Sequence, residues 1–508
     1  MTRRNRSEDG VFVAGCPTSI NDTYPLATAA SGTQLGDRKP GNKVNEIYEI
    51  TREARLYSLK ELARRAGASA DFFRSWRIEF DRDATTIYVN PGTAKRIRIR
   101  NAPSKFWREL SAGTFRTTRA SWFYPPLEPI STLIPNFIIP FSCESQNASP
   151  PLFGTVEHEC VESAFDILVP TLLSLSRWEE TREGQRDEHG RFTASMSVAS
   201  RDRFLKQPIV DEYGLALEQA LTYLLPAWRP AERKLRVKVS HDIDVIGIPF
   251  NARSTIGHTL RRHKPLATAR DLLGGLVGLN PTFLETVRQV VQPCIERDLD
   301  SAVYWKASPP GPKDSGYDPR HPKVRRIISW LREHGAENGV HPGYRTFLEP
   351  DRLRQEMQAL QEVLGEWPLG GRQHYLRWRP DTWLHWEACG LAYDSSVGYH
   401  DLVGFRAGTC FPYRPWLLTL NREANLIEIP LVAMEQALWR HMHLTPEQSL
   451  EALSDCVTRC RLVGGVFTFL WHNIHLLDPI YGDFYEQVLD TLVGAEKFEW
   501  KAPAANFY

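Results

Sequence analysis

The chain has 508 residues, enough at about 100–200 residues per domain for two to four domains and a sizeable core. A composition of 42% hydrophobic, 24% charged and 11% aromatic residues excludes a disordered or fibrous chain. With 62 Lys+Arg against 61 Asp+Glu the net charge is +1, so no whole-chain field draws the protein to nucleic acid or an anionic membrane.

That charge is unevenly spread: residues 1–110 hold 20 Lys+Arg and 13 Asp+Glu, the remainder 42 and 48. No apolar run approaches the ~20 residues of a membrane span. The longest, DLLGGLVGL (271–279) and FDILVPTLLSL (165–175), read as core helices. The VFVAG that follows the basic MTRRNR is too short for a secretory h-region of about 7–15 apolar residues. Eight cysteines (Cys16, Cys143, Cys160, Cys294, Cys389, Cys410, Cys456, Cys460) contain no CxxC pair. Cys456 and Cys460 fall on one face of a helix and read as packing, and a reducing cytoplasm is the expected location.

In chain order, 1–45 is rich in Ser, Thr, Gly and Asn without periodicity and is expected to be a mobile tail. YSLKELARRAGASADFFRSW (57–76) has helical spacing broken at Gly67, with Leu62, Ala63, Ala66, Phe73 and Trp76 at helix-turn-helix contact positions. TTIYVNPGTAKRIRIR (85–100) alternates either side of Asn90–Thr93 and predicts a β-hairpin. Together they define a small basic module, 46–102, that could place a helix on DNA; against that role, ASADFFRSW offers few base-reading side chains. An α+β domain is expected over 103–232, with helices in 165–180 and 210–225 and a charged loop at QRDEHGRFTA (185–194).

From Leu235 strands and amphipathic helices alternate, which predicts a parallel sheet over 233–508. The candidate strands are 235–241, 301–307, 336–341, 374–378, 391–395, 426–431 and 465–472. Seven in one run favour a (β/α) barrel, and neither GxGxxG nor GxxxxGK[ST] occurs to support a nucleotide-binding sheet. In such barrels function gathers at the C-terminal strand ends. Polar residues at those ends are His241, Asp242 and Asp244 in VSHDID, then His341 with Tyr344 and Arg345. Arg372, His374 and Arg377 follow, then Asp394, and finally His472, Asn473 and His475. Residues two apart in a strand share a face, so Asp242 and Asp244 can enter one site. A divalent metal on one carboxylate, with the other free to take a proton from water, relieves their repulsion. Mixed imidazole and carboxylate ligands suit zinc or a similar ion.

At these residues the chain resembles the polysaccharide deacetylase superfamily, metal-dependent carbohydrate esterases on a distorted (β/α) barrel. The resemblance spans about 235–490, through VSHDID, ENGVHPGYR, GGRQHYLRW and LWHN. LSRWEE, RDEHGRFTAS and QPIVDEY (174–213) are similar to an uncharacterised domain that precedes such barrels in some bacterial proteins. The implied fold is a distorted (β/α)7 barrel preceded by an α+β domain and the helix-turn-helix/hairpin module. The implied roles are Asp242 as general base, Asp244 and His341 as metal ligands, and His472 as general acid. Two departures stand out: Arg345 occupies the place of the family's second ligand histidine, and His374 replaces the proline of its arginine motif. A guanidinium cannot bind a cation. His374 is therefore expected to complete an Asp244–His341–His374 site, while a rival reading puts Arg345 in the metal's place and makes the protein an inactive binder. Arg372, Asp394, Arg406, Tyr344 and Arg345 are expected on the substrate, unless Arg406 pairs with an internal acid. The resulting expectation is a zinc-type hydrolase acting on an N-acetylated sugar or related small amide. The alternatives are an inactive glycan binder and a DNA-binding ligand sensor.

Overall fold

The computed structural model describes residues 50–498 apart from 91, 125, 127–129, 143–148, 183, 247–280 and 479–482. The chain divides into two compact units, 1–45 and 46–508, and every described residue lies in the second. The expected tail at 1–45 and the expected helix at 271–279 fall outside the described residues. Among the described residues, no helix is long and apolar enough to cross a membrane.

The segment broken at Gly67 forms two helices, α1 (Arg52–Arg65) and α2 (Ala70–Arg74), capped by the side chains of Thr51 and Ser69. Gly67 has φ +80°, and a Cβ there would lie 2.8 Å from Pro230 and from the Ala231 nitrogen. The predicted hairpin is β2 (Ala84–Tyr88) with β3 (Arg96–Arg100), preceded by β1 (Arg77–Phe80). Further along the chain come β4 (Arg116–Ala120), β5 (Phe137–Ser142), β6 (Phe153–Glu157) and β7 (Cys160–Ser163). One sheet runs in the order β1-β2-β3-β7-β6, so segments 46–102 and 103–232, expected as separate pieces, are joined edge to edge. The basic RIRIR strand is matched by acids on its neighbours: Arg98 and Arg100 pair with Glu162, and Arg96 with Glu157.

Four helices follow: α3 (Leu168–Leu175), α4 (Trp178–Thr181), α5 (Val198–Arg201) and α6 (Ile209–Leu224). Apolar packing against α3 and α6 buries α1, and so does an internal ion pair between Arg65 Nε and Asp211 Oδ1 at 2.6 Å. Arg65 also reaches Thr409 Oγ1 at 3.0 Å, which ties the front of the chain to its C-terminal half.

The second half is the expected α/β barrel. Its parallel strands are β8 (Arg236–Ile243), β9 (Asp300–Trp305), β10 (Glu337–Val340), β11 (Gly370–Gly371), β12 (Tyr393–Asp394), β13 (Ile427–Glu428), β14 (Ala433–Met434) and β15 (Val466–Leu470). The ladder order is β13-β12-β11-β10-β9-β8-β15-β14, and β16 (Glu496–Lys497) pairs with the first two residues of β8. No ladder joins β13 to β14 among the described residues, so the barrel is open there, and the chain at 429–432 runs from one edge to the other. Every residue of β15 is buried, as a parallel strand covered on both faces requires. The helices cover the sheet through apolar stripes: in α7 (Pro322–Glu333), Val324, Ile327, Ile328 and Leu331 recur at helical spacing and are buried.

One expected strand is misplaced. Residues 374–378 do not form a strand; His374–Leu376 is a 3-10 turn with Tyr375 at φ 63°, and the strand is Gly370–Gly371 just before it. A Cβ on Gly371 would sit 1.8 Å from the Val340 carbonyl oxygen, so only glycine lets β11 lie against β10. That close approach delivers Arg372, Gln373 and His374 to the barrel rim.

The two halves are locked by buried charge. Glu180, on α4, accepts from Arg406 Nη2 at 2.6 Å and Nε at 2.9 Å, and from Arg177 Nε at 2.8 Å. All three side chains are almost wholly buried. Removing one partner of such a cluster leaves uncompensated charge in a low-dielectric interior. Glu180→Ala is therefore expected to lower the unfolding free energy by about 3–5 kcal/mol, as measured by chemical denaturation.

Candidate active site

The ends of β8, β9, β10, β11 and β15 meet at one rim, and the polar residues that follow them converge. Asp244 lies just past β8 and is its most accessible member, with a side chain 22% exposed. Its Oδ1 is 3.1 Å from His341 Nε2 and 3.1 Å from His374 Nε2. Both imidazoles are oriented from behind. His341 Nδ1 donates to the Arg372 carbonyl at 2.8 Å, and His374 Nδ1 donates to Asp314 Oδ1 at 2.9 Å. Each ring thus spends its outer N–H on a fixed acceptor and turns Nε2 inward, an arrangement typical of metal-ligating histidines.

Burial pushes the His341 imidazolium down despite Asp242 and Asp244, which favours the neutral ring. Burial also opposes charge on Asp244, but His374, His341 and Lys306 outweigh it and hold the carboxyl well below the usual carboxylate range. Asp244 Oδ1 and the Nε2 atoms of both imidazoles thus face a common point, with Lys306 Nζ 3.2 Å from His374 Nε2 and 3.9 Å from Asp244 Oδ1, and with neutral rings the same three atoms offer a ligand set to a cation. The ligand atoms of Asp244, His341 and His374 lie within 4.8 Å of one another. Two nitrogens and one oxygen fit a zinc-type ion with a position left for water.

Asp242 is buried beside this cluster. Its Oδ1 accepts from Arg372 Nη1 at 3.0 Å, and its Oδ2 is 3.6 Å from His341 Nδ1. Arg372 spends its other contacts on Ser240 Oγ, Ser395 Oγ and the Ser395 carbonyl. It is 1% exposed and supports Asp242 rather than reaching a substrate. On the opposite side His472 Nε2 is 3.6 Å from Asp244 Oδ2, and its Nδ1 donates to Glu435 Oε1 at 2.5 Å. Burial disfavours the charged His472 ring, yet the Glu435 charge and hydrogen bond, with Asp244 and Asp242 behind, raise it to about 9. Glu435 also accepts from His475 Nδ1 at 2.6 Å, and these two imidazoles hold its carboxyl far below the usual range although burial acts the other way.

Several expected substrate contacts lie elsewhere. Arg345 points outward, 68% exposed, and pairs with Glu349 at 3.0 Å, so it does not stand in the metal's place. Arg406 takes the internal alternative, bound to Glu180 and the Gly398 carbonyl. Asp394 is wholly buried, accepting from Ser396, and burial raises it to about 7. Tyr344 does stay near the rim, where its hydroxyl meets His189 Nδ1 at 3.0 Å and its ring lies under the Arg377 guanidinium. His241 faces away, with Nδ1 on the Trp471 carbonyl at 2.9 Å.

Three contributors, Lys306, Asp314 and Glu435, are not picked out by the sequence, and His475 is named there without a role. Lys306, just past β9, is buried with Nζ 2.8 Å from Asp314 Oδ1 and 3.9 Å from Asp244 Oδ1. It is a polar residue at a strand end, the same signal that marks Asp242 and His341. Asp314 comes from the loop after β9, which is anchored by Tyr317 donating to the Ile243 carbonyl at 2.9 Å. Glu435 and His475 act from behind His472; Glu435 follows the two-residue strand β14, too short for periodicity to reveal. The charged loop 185–194 also reaches the rim, through Arg191 donating to the Tyr375 carbonyl at 3.1 Å.

Residues 67–226 match the profile of a family of unknown function, DUF7033. No curated protein matches the chain in sequence. Among solved structures, the chain is similar to a protein assigned as a polysaccharide deacetylase from Mycobacterium smegmatis, at 15% identity over 53% of this chain and 87% of that one, with a TM-score of 0.36. It is similar to an allantoinase at 14% identity over 52% and 86%, with a TM-score of 0.35. A family 4 carbohydrate esterase from Streptomyces lividans gives 12% identity over 52% and 90%, with a TM-score of 0.25.

The His472–Glu435 pair yields a measurable titration. With chelator present, NMR should show His472 titrating near 9, and Glu435→Gln should bring it down by more than one unit. The stability from a raised imidazole is fully present below its unfolded value of about 6.5 and is lost as pH rises through about 9.

Proposed function

We propose that the protein is a metal-dependent hydrolase that removes an acetyl group from an N-acetylated sugar or a related small amide. The observation that carries this reading is the convergence of Asp244, His341 and His374, each imidazole fixed from behind with Nε2 turned inward. A divalent ion bound there supplies Lewis acidity, lowering the pKa of water and offsetting charge on the carbonyl oxygen. Asp242, held by Arg372 and Ser240-linked hydrogen bonds, takes the proton of the attacking water. The C–N bond of the tetrahedral adduct breaks as His472 gives its proton to the leaving amine, yielding acetate and a free amine. Glu435 favours the protonated His472 ring through its charge and hydrogen bond and holds it with Nε2 turned inward.

A second reading, a binding protein without turnover, is favoured by one feature. The buried Lys306 ammonium lies beside Asp314, His374 and Asp244 and supplies a fixed positive charge to the same cluster.

Metal analysis of purified protein separates the two readings. About one zinc or similar ion per chain, lost in both His341→Ala and His374→Ala, is the expected result. Asp242→Asn should retain the metal but lose about 10²–10⁴-fold in acetate release from an N-acetylated sugar panel. A folded wild type that takes up no metal on reconstitution would sink the hydrolase reading in favour of the binder.

A further inference from the structure

A pocket of about 430 Å³ lies between the β4–β5 pair and the end of α5, lined by Phe115, Arg116, Thr117, Arg119, Ile138, Arg201 and Asp202. A register shift between Arg116 and Thr118 interrupts the β4–β5 ladder. Strict alternation would send Arg116 and Arg119 to opposite faces. The bulge instead leaves both exposed on one face with Thr118 and Ala120 buried behind them. Arg201 reaches the same space from α5, its guanidinium 5.3 Å from the Phe115 ring centre.

The charges are not balanced. Arg201 is held by Asp202 at 2.7 and 2.8 Å, and Thr117 Oγ1 donates to the same carboxylate at 2.5 Å. Among the described residues, the guanidiniums of Arg116 and Arg119 have no acidic partner or hydrogen-bond acceptor. This contrasts with the RIRIR strand of the same half, whose Arg96, Arg98 and Arg100 are each matched by a glutamate. Among the described lining residues three guanidiniums stand against the Asp202 carboxylate, with Glu179 also acting on Arg201, so the positive charge in excess is that of Arg116 and Arg119. A phosphate monoester dianion matches that excess, and its oxygens suit the fork of arginine donors, whereas a carboxylate would leave one charge unpaired. The volume lies in the range of small-molecule sites and exceeds what a phosphate group occupies. Phe115 and Ile138 offer apolar wall to the remainder of the ligand.

We infer that this pocket is a binding site for a phosphate monoester carrying a small organic group, separate from the barrel rim and independent of the hydrolase reading. Arg116 and Arg119 grip the phosphate, and Asp202 keeps Arg201 in place at its side.

The test is calorimetric titration of the full chain with inorganic phosphate, glucose 1-phosphate and glucuronate, in the wild type and in an Arg116→Ala/Arg119→Ala variant. Both residues are exposed, so the variant should fold, which circular dichroism checks. One or both phosphate compounds should bind more tightly than glucuronate, with affinity at least tenfold weaker in the variant. Tighter binding of glucose 1-phosphate than of inorganic phosphate would show that the organic group is held as well. No binding of either phosphate compound, unchanged affinity in the variant, or preference for glucuronate would overturn the proposal. A further Arg201→Ala variant, which keeps the pair but frees Asp202, should also weaken phosphate binding.

Discussion

Asp242 and Asp244 stand two residues apart at the end of β8, and much of the barrel rim is arranged around keeping both carboxylates there. Like charges in a sheltered site disfavour joint ionisation unless cations or donors neutralise them. Arg372 answers Asp242 with a buried charged hydrogen bond, while His341, His374 and Lys306 answer Asp244. Their supports are equally specific: the Arg372 carbonyl and Asp314 set the two imidazoles, and the Ser240 and Ser395 hydroxyls set the guanidinium. Truncating any of these removes a neutraliser or leaves a buried charge, and so acts on the whole cluster.

The front half takes part in this arrangement. Loop 185–194 lies across the residues after β11: Arg377 Nε donates to the His189 carbonyl at 2.8 Å, and His189 meets the Tyr344 hydroxyl. Tyr375, at φ 63°, sits between the His189 and His374 rings. A backbone in that region is strained for a non-glycine residue and persists where its surroundings fix it. The buried Glu180–Arg406 and Arg65–Asp211 pairs hold the two halves in the register that this rim needs.

Much of this was legible in the sequence because strand ends carry their polar residues in order. Asp242, Asp244, His341, His374 and His472 were all picked out by position, and the structure brings them within one cluster. His374 is expected from the sequence to join Asp244 and His341, but sequence spacing carries no contact, which the structure supplies at 3.1 Å from Asp244. What failed was local. Gly370–Gly371 has no β-forming side chains, because backbone proximity to Val340 demands their absence, so the sequence pattern points instead to HYLRW at 374–378. Arg372, Arg406 and Asp394 looked like substrate groups because sequence shows a charge but not its burial. Asp314 and Glu435 come from a loop and from beyond a two-residue strand, where no periodicity marks a residue as facing inward.

The central claim is that Asp244, His341 and His374 hold a divalent ion. The most direct test is a crystal structure of zinc-reconstituted protein with anomalous scattering recorded at the zinc edge. The account predicts one principal peak about 2.0–2.2 Å from Asp244 and from the Nε2 atoms of His341 and His374. Glu435, His472 and His475 form a second group with metal-ligand character, but their two short hydrogen bonds to a shared oxygen fit a proton-handling pair. A peak among those three residues, or none near Asp244, would contradict the account.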